Sequence, residues 1–215
     1  MIKQKIILID FCETIVSIQT AEDFIFFCMK DSQLKYKLLE IIKNLLSFKL
    51  VMLVLGRLGI NFNFKKIAVF FLKGINEGDL YKQGENYAHK ILINKLNSKV
   101  ILKIKEEYGN DRKIIVSGGF VYYIKPLMET LKINIDNFLC TKLATNKKKI
   151  LNGKIYFDCM EENKKIALEY LNIFPSVDKE LITFTDSISD LPLIKISDKT
   201  HFIYENNTWY NISKD

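Results

Sequence analysis

Four short segments of this 215-residue chain place residues that can act together on a phosphoryl group. Asp10 closes the aliphatic run Lys5 to Ile9, and a carboxylate held at a strand tip can attack phosphorus and form an aspartyl phosphate. Ser117, Gly118 and Gly119 follow the run Lys113 to Val116, where amides at a strand-to-helix turn bind phosphoryl oxygens. Lys164 or Lys165, early in a later helical segment, supplies fixed positive charge to the same oxygens. Asp186 and Asp190, together with Asp10, make a hard oxygen cluster of the kind that takes Mg²⁺ along with water and substrate phosphate. Each segment alone is weak, since Ser-Gly-Gly is more often a turn and an Asp-x-x-x-Asp pair is usually solvated. Their order carries the information, each falling directly after an expected strand or at a helix start.

The elements that position these residues follow from periodicity. Short aliphatic runs at Lys5 to Ile9, Lys113 to Val116, Leu181 to Thr185 and Thr200 to Tyr204 read as buried strands. Asn137 to Lys142 and Lys154 to Phe157 read as paired strands across the basic turn Asn146-Lys147-Lys148-Lys149. Phe120 to Leu131 and Glu162 to Leu171 read as helices. From Thr20 to about Tyr108 the pattern is helical almost throughout: Thr20-x-x-Asp23 resembles a capping box. Phe24, Phe27 and Cys28, then Leu34, Leu38, Ile41, Ile42 and Leu45, recur at helical spacing, and Gly56, Gly59, Gly74 and Gly78 divide the region into about four helices. The fold class is α/β, an open sheet carrying an all-α subdomain between its first two strands. In such sheets ligands bind beyond the carboxyl ends of the strands, where Asp10, Ser117 to Gly119, and Asp186 with Asp190 lie. Phe202 to Ile212 reads as a hairpin-like piece that completes the sheet.

Composition narrows the chemistry. Lys plus Arg number 32 and Asp plus Glu 25, a net charge of +7 that suits an anionic partner. The two histidines, His89 and His201, have no metal-binding spacing around them, which removes most zinc hydrolases and histidine-based triads. Cys12, Cys28, Cys140 and Cys159 form no C-x-x-C pair and read as reduced thiols, so a cytoplasmic location is expected. The start lacks the apolar run of a secretory signal. The apolar stretch Leu45 to Phe71 is broken by Lys49, Arg57, Gly59 and Lys65-Lys66, so no membrane partner is expected. Nucleic acid is not expected either, because Lys147 to Lys149 lack aromatic interleaving and any reader motif. The partner expected is a small phosphorylated metabolite.

These segments resemble the haloacid dehalogenase superfamily of aspartate-nucleophile phosphatases, in the branch that includes phosphoserine phosphatase. Asp10-x-Cys12-x-Thr14-Ile15 looks like the D-x-D-x-T motif, and Val116-Ser117-Gly118-Gly119-Phe120 is close to that branch's second motif. Asn163-Lys164-Lys165-Ile166 falls at the third, and Thr185-Asp186-Ser187-x-x-Asp190 is similar to G-D-S-x-x-D. The resemblance implies a Rossmann-like core with a parallel sheet, residues 1–16 and 106–215, and an inserted four-helix-type cap, residues 17–105. It implies Asp10 as nucleophile, Ser117 with Gly118, Gly119 and a lysine as phosphate ligands, and Mg²⁺ as cofactor. Asp10, the backbone carbonyl of Cys12 and Asp186 would hold the metal with support from Asp190. Lys165 is preferred over Lys164 because the family's lysine tends to precede an aliphatic residue.

The main departure is Cys12, which stands where the family has the aspartate that protonates the leaving alcohol and then activates water, a role worth roughly 10² to 10⁴ in rate. A thiol near phosphate and carboxylates stays neutral at pH 7 and is a poor base. Three readings follow: a slow phosphatase in which Cys12 or Glu13 partly substitutes, one that depends on acidic leaving groups or a substrate-borne acid, and an inactive phosphate-binding or scaffold relative. Relatives with cysteine here are encoded with envelope-polysaccharide functions, which extends the resemblance toward capsular polysaccharide synthesis. Thr185 replaces the family's glycine and is expected to crowd the metal loop. Gln19 falls where phosphoserine phosphatase holds the substrate amine with a glutamate, and Ala68 where it carries an arginine for the carboxylate; Arg57 lies nearby in sequence. Loss of a carboxylate reader favours an amino-alcohol, polyol or sugar phosphate.

Overall fold

The computed structural model describes residues 4–47, 63–174, 178–204 and 208–213. The aliphatic runs form a seven-stranded sheet in the order β4-β3-β2-β1-β5-β6-β7. The strands are β1 (Gln4–Ile9), β2 (Arg112–Phe120), β3 (Asn137–Thr145), β4 (Leu151–Phe157), β5 (Lys179–Thr185), β6 (Lys199–Tyr204) and β7 (Thr208–Ser213). β1 pairs in parallel with β2 and β5, β2 with β3, and β5 with β6, while β4 and β7 close the edges antiparallel. The β3–β4 pair turns through the basic segment Asn146 to Lys149, where the Asn146 side chain accepts from the amides of Lys148 and Ile150. The edge hairpin β6–β7 fulfils the expectation for the last segment.

Strand alternation sends successive residues of β1 to opposite faces. Ile6 and Leu8 join Ile114, Val116, Leu168 and Leu193 in one apolar layer. Ile7 and Ile9 join Ile115, Phe184, Ile104 and the residues of the helical insertion in the other. The first layer lies under α7 (Glu162–Tyr170) and α8 (Leu191–Ile196); the second under α5 (Ser98–Tyr108) and α6 (Val121–Thr130).

Between β1 and β2, the insertion contributes α1 (Thr20–Met29), α2 (Gln33–Ser47), α3 (Phe64–Phe70) and α4 (Glu77–Lys90). The chain leaves and rejoins the core at one point: Val16 bridges Leu96, the Ser17 amide donates to Lys95 O, and the Asn97 amide donates to Ile15 O. Beyond it, α5 lays Tyr108 edge-on against Phe184 of β5, with the Tyr108 hydroxyl 2.8 Å from His201 Nε2 of β6. These contacts put α5 with the sheet, and we propose the cap boundary at Leu96 instead of 105. α4 packs on α6 so closely that a Cβ on Gly84 would stand 2.2 Å from Tyr122 O. On α2, Leu39 is buried while Leu34, Leu38, Ile41 and Leu45, the stripe marked by its spacing, are exposed. Gly56, Gly59, Arg57 and Phe62 lie outside the described residues. Among the described residues no helix is long and apolar enough to cross a membrane.

Candidate active site

The carboxyl ends of β1, β2 and β5 open into a cavity of about 370 Å³, walled on its far side by the helical insertion. Asp10 sits at the tip of β1, its amide donating to Phe184 O of β5 at 2.9 Å, and its carboxylate is 6% exposed. The loop behind it turns back on itself, with the Ile15 and Val16 amides donating to Phe11 O and Glu13 at φ 57°. Thr14 on this loop donates to Asp186 Oδ1 at 3.0 Å, which ties the end of β1 to the end of β5.

One buried ammonium serves the acidic floor. Lys164 Nζ stands 2.8 Å from Asp10 Oδ1 and 2.6 Å from Asp190 Oδ1. Burial alone would lower its affinity for its proton, and the two carboxylates more than reverse this, so it stays charged. Lys165, the residue preferred from sequence, points the other way: it pairs loosely with Glu169 at 3.9 Å and lies over the Phe174 ring. The preference for Lys165 is therefore corrected to Lys164. The physical reason is helix phase, since α7 begins directly after Glu161 at φ 50° and turns position 164 inward.

Asp10 and Asp190 share that one ammonium, and the crowding of acidic groups shows in the proton affinities of Asp10 and Asp186. Burial raises the Asp10 carboxyl to about 7, opposed by Lys164 and reinforced by Asp190. Burial likewise raises Asp186 to about 6, opposed by the Thr14 hydrogen bond. Among the described residues no three His, Cys, Asp or Glu side chains converge as a ready-made metal cage. A hard cation that keeps much of its water and uses substrate oxygens needs no such cage. Asp10 and Asp186 both line the cavity, and burial raises both carboxyls despite Lys164 beside Asp10 and Thr14 beside Asp186, so they fit such an ion. Asp190 is committed elsewhere, to Lys164 and to the buried Thr185 hydroxyl at 2.7 Å. Thr185 thus does not crowd the loop as expected; its hydroxyl also accepts from the Ser187 amide at 3.2 Å and braces the turn.

Cys12 lines the cavity with its Sγ 2.9 Å from Thr20 Oγ1. Thr20 in turn lies 2.7 Å from the Tyr123 hydroxyl, which accepts from the Phe120 amide at 3.0 Å. Burial, with Asp10 adding to it, pushes the thiol up to about 11. Ser117 and Gly118 line the opposite wall. Gly119 does not: its amide donates to Ser117 Oγ at 3.1 Å, and a Cβ there would meet the Tyr123 hydroxyl at 2.7 Å. The expectation that Gly119 binds phosphate directly is corrected to a supporting position.

From the insertion, Gln19, Glu22, Asn63 and Lys65 reach the cavity. Gln19 Nε2 donates to Glu13 Oε2, which holds its amide at the rim. Ala68 is buried within α3 and does not face the cavity; Lys65, earlier on the same helix, does. Lys65 was missed because Lys65-Lys66 interrupts an apolar stretch and reads as solvated charge. The detectable signal is a lysine directly after Phe64 on a short apolar helix, with only one of the two lysines needed for solubility.

No curated protein matches the chain in sequence. Among solved structures, a protein of unknown function from Bordetella pertussis Tohama I superposes with a TM-score of 0.74 at 13% identity, covering 94% of this chain and 90% of that one. A phosphoserine phosphohydrolase-like protein from Francisella tularensis has a TM-score of 0.57 at 20% identity, covering 94% and 88%. A phosphoserine phosphatase in apo form has a TM-score of 0.57 at 19% identity, covering 92% and 85%. These likenesses concern the fold alone, which this chain shares with those phosphoserine-phosphatase-like structures. The family model described as haloacid dehalogenase-like hydrolase matches residues 7–195, a span that holds every residue of the acidic floor, and the chain belongs to that hydrolase family.

Proposed function

We propose that the protein is a Mg²⁺-dependent phosphatase acting on a small phosphomonoester through an aspartyl phosphate on Asp10. The observation that carries this reading is the buried Asp10 carboxylate at the tip of β1, held by Lys164 and facing a cavity lined by Ser117 and Gly118. Asp10, Asp186 and the Cys12 carbonyl would hold the metal. When bound, the ion supplies charge that offsets the phosphoryl oxygens and keeps the Asp10 carboxyl ionised. The chain's own groups do the rest. Lys164 and the Ser117 hydroxyl hold the phosphoryl oxygens, and Asp10 attacks phosphorus as the ester P–O bond breaks. The departing alkoxide takes a proton, for which the Cys12 thiol is within the cavity wall. Water then cleaves the acyl phosphate, giving inorganic phosphate and free Asp10, and the proton it sheds restores the Cys12 thiol.

A thiol raised to about 11 rests protonated at pH 7 and is a much weaker acid than a carboxyl group, which supports slow turnover. The same observation favours one second reading, a phosphate-binding relative that does not turn over. Gln19, Asn63 and Glu22 at the distal wall offer amides and a carboxylate, which supports an amino-alcohol, polyol or sugar phosphate; capsular polysaccharide precursors are the setting that Cys12 suggests. The test is inorganic phosphate release from a panel of such esters with Mg²⁺. Release abolished by Asp10→Asn and by chelation supports the enzyme, and binding of phosphate without release at high protein concentration supports the second reading.

A further inference from the structure

Lys65 is a charge that the helical insertion buries against the sheet. Its ammonium has three protons, and three acceptors on the core meet them: Gly118 O at 2.7 Å, Thr141 Oγ1 at 2.9 Å and Asp158 Oδ1 at 2.6 Å. With its donors taken, Lys65 is not disposed to read a substrate carboxylate, although it lines the cavity. What it touches is more telling. Gly118 O belongs to the peptide whose N–H, on Gly119, donates to Ser117 Oγ. One face of that peptide is thus held by Lys65 and the other by Ser117. Thr141 adds a second donor within 2.9 Å of Gly118 O and itself accepts from the Cys159 amide at 3.2 Å, in the segment leading to Lys164. Gly118 is also confined from the opposite side, since a Cβ there would meet Met160 at 2.9 Å.

We propose that Lys65 is a positioning residue for the phosphate cradle: from the insertion it fixes the Gly118–Gly119 peptide, and through it the orientation of the Ser117 hydroxyl and the Gly118 amide toward the phosphoryl group. The cradle then reaches its binding geometry only with α3 seated on the core. This inference rests on the phosphatase reading. Because the Lys65–Asp158 pair is buried, removing the lysine alone leaves an unpaired carboxylate, so the decisive variant is the double Lys65→Met/Asp158→Asn.

The test is calorimetric titration of the full chain, first with Mg²⁺ and then, on the Mg²⁺-loaded protein, with inorganic phosphate. The double variant is expected to lose about tenfold or more in phosphate affinity, the scale of a lost charged hydrogen bond, while binding Mg²⁺ as the wild type does. Should it not fold, Thr141→Val, which removes one neutral donor, carries the same test with a loss of about threefold. Unchanged phosphate affinity in a folded variant overturns the inference alone. Equal loss of both ligands overturns it in favour of simple packing. A wild-type protein that neither binds nor releases phosphate overturns it together with the phosphatase reading.

Discussion

Cys12 is the residue whose chemistry bears most on the proposed reaction. Its thiol is buried, 2.9 Å from Thr20, and raised to about 11, so it is a weak acid toward a leaving alkoxide. Cys12→Asp is expected to raise kcat by about tenfold or more, toward the usual worth of a general acid-base group; steady-state phosphate release measures it, and an unchanged kcat means another group performs the transfer. Lys164→Met is expected to abolish release, and Lys165→Met to leave it within about twofold, as for an exposed pair. The acidic floor has its own pH signature. Free of metal, Asp10 at about 7 and Asp186 at about 6 hold protons that the unfolded chain, near 3.8, releases. The folded state therefore binds more protons between about pH 4 and 7, and these groups add stability as pH falls through that window. The rise in melting temperature on adding Mg²⁺ should accordingly be larger at pH 8 than at pH 5; a larger rise at pH 5 would contradict the assignment. Asp10, Ser117 and Asp186 stood out in the sequence because each directly follows an apolar run, and Asp190 because it falls four residues after Asp186. The choice between Lys164 and Lys165 was not legible, because the phase of α7 is set by a backbone turn at Glu161 that no local pattern marks.

At the level of elements, the strands were legible from their apolar runs, and their ends were not. β2 continues through Ser117, Gly118 and Gly119 to Phe120 because β3 pairs alongside it, with an irregularity between Ser117 and Phe120. The expected turn is thus the end of a strand that carries the cradle. Periodicity located α2 without saying which side it buries, for Leu39 is buried while Leu34, Leu38, Ile41 and Leu45 are exposed; spacing gives a helix, and tertiary packing decides the buried face. The close approach of α4 to α6 at Gly84 was equally silent, a contact between residues far apart in sequence. Gly84→Ala forces its methyl against the Tyr122 carbonyl. It is expected to cost about 1–3 kcal/mol, read as a lower denaturation midpoint, even though alanine favours the helix by itself. A midpoint equal to or above that of the wild type would show that α4 is free to shift.

Over the whole molecule, a chain of net charge +7 encloses an acidic floor in which Asp10 and Asp190 share the Lys164 ammonium and Asp186 takes the Thr14 hydroxyl. The excess positive charge favours the approach of an anion, while the floor favours a small divalent cation beside it. The insertion walls the same cavity, with Lys65 anchored on Gly118, Thr141 and Asp158. The measurement that bears most directly on the whole is acid-quench mass spectrometry of the protein during turnover of a reactive phosphomonoester with Mg²⁺. A phosphoryl adduct on the peptide bearing Asp10, absent from Asp10→Asn and lost on chelation, is the predicted result. Turnover with no adduct on Asp10, or an adduct that persists in Asp10→Asn, would contradict it.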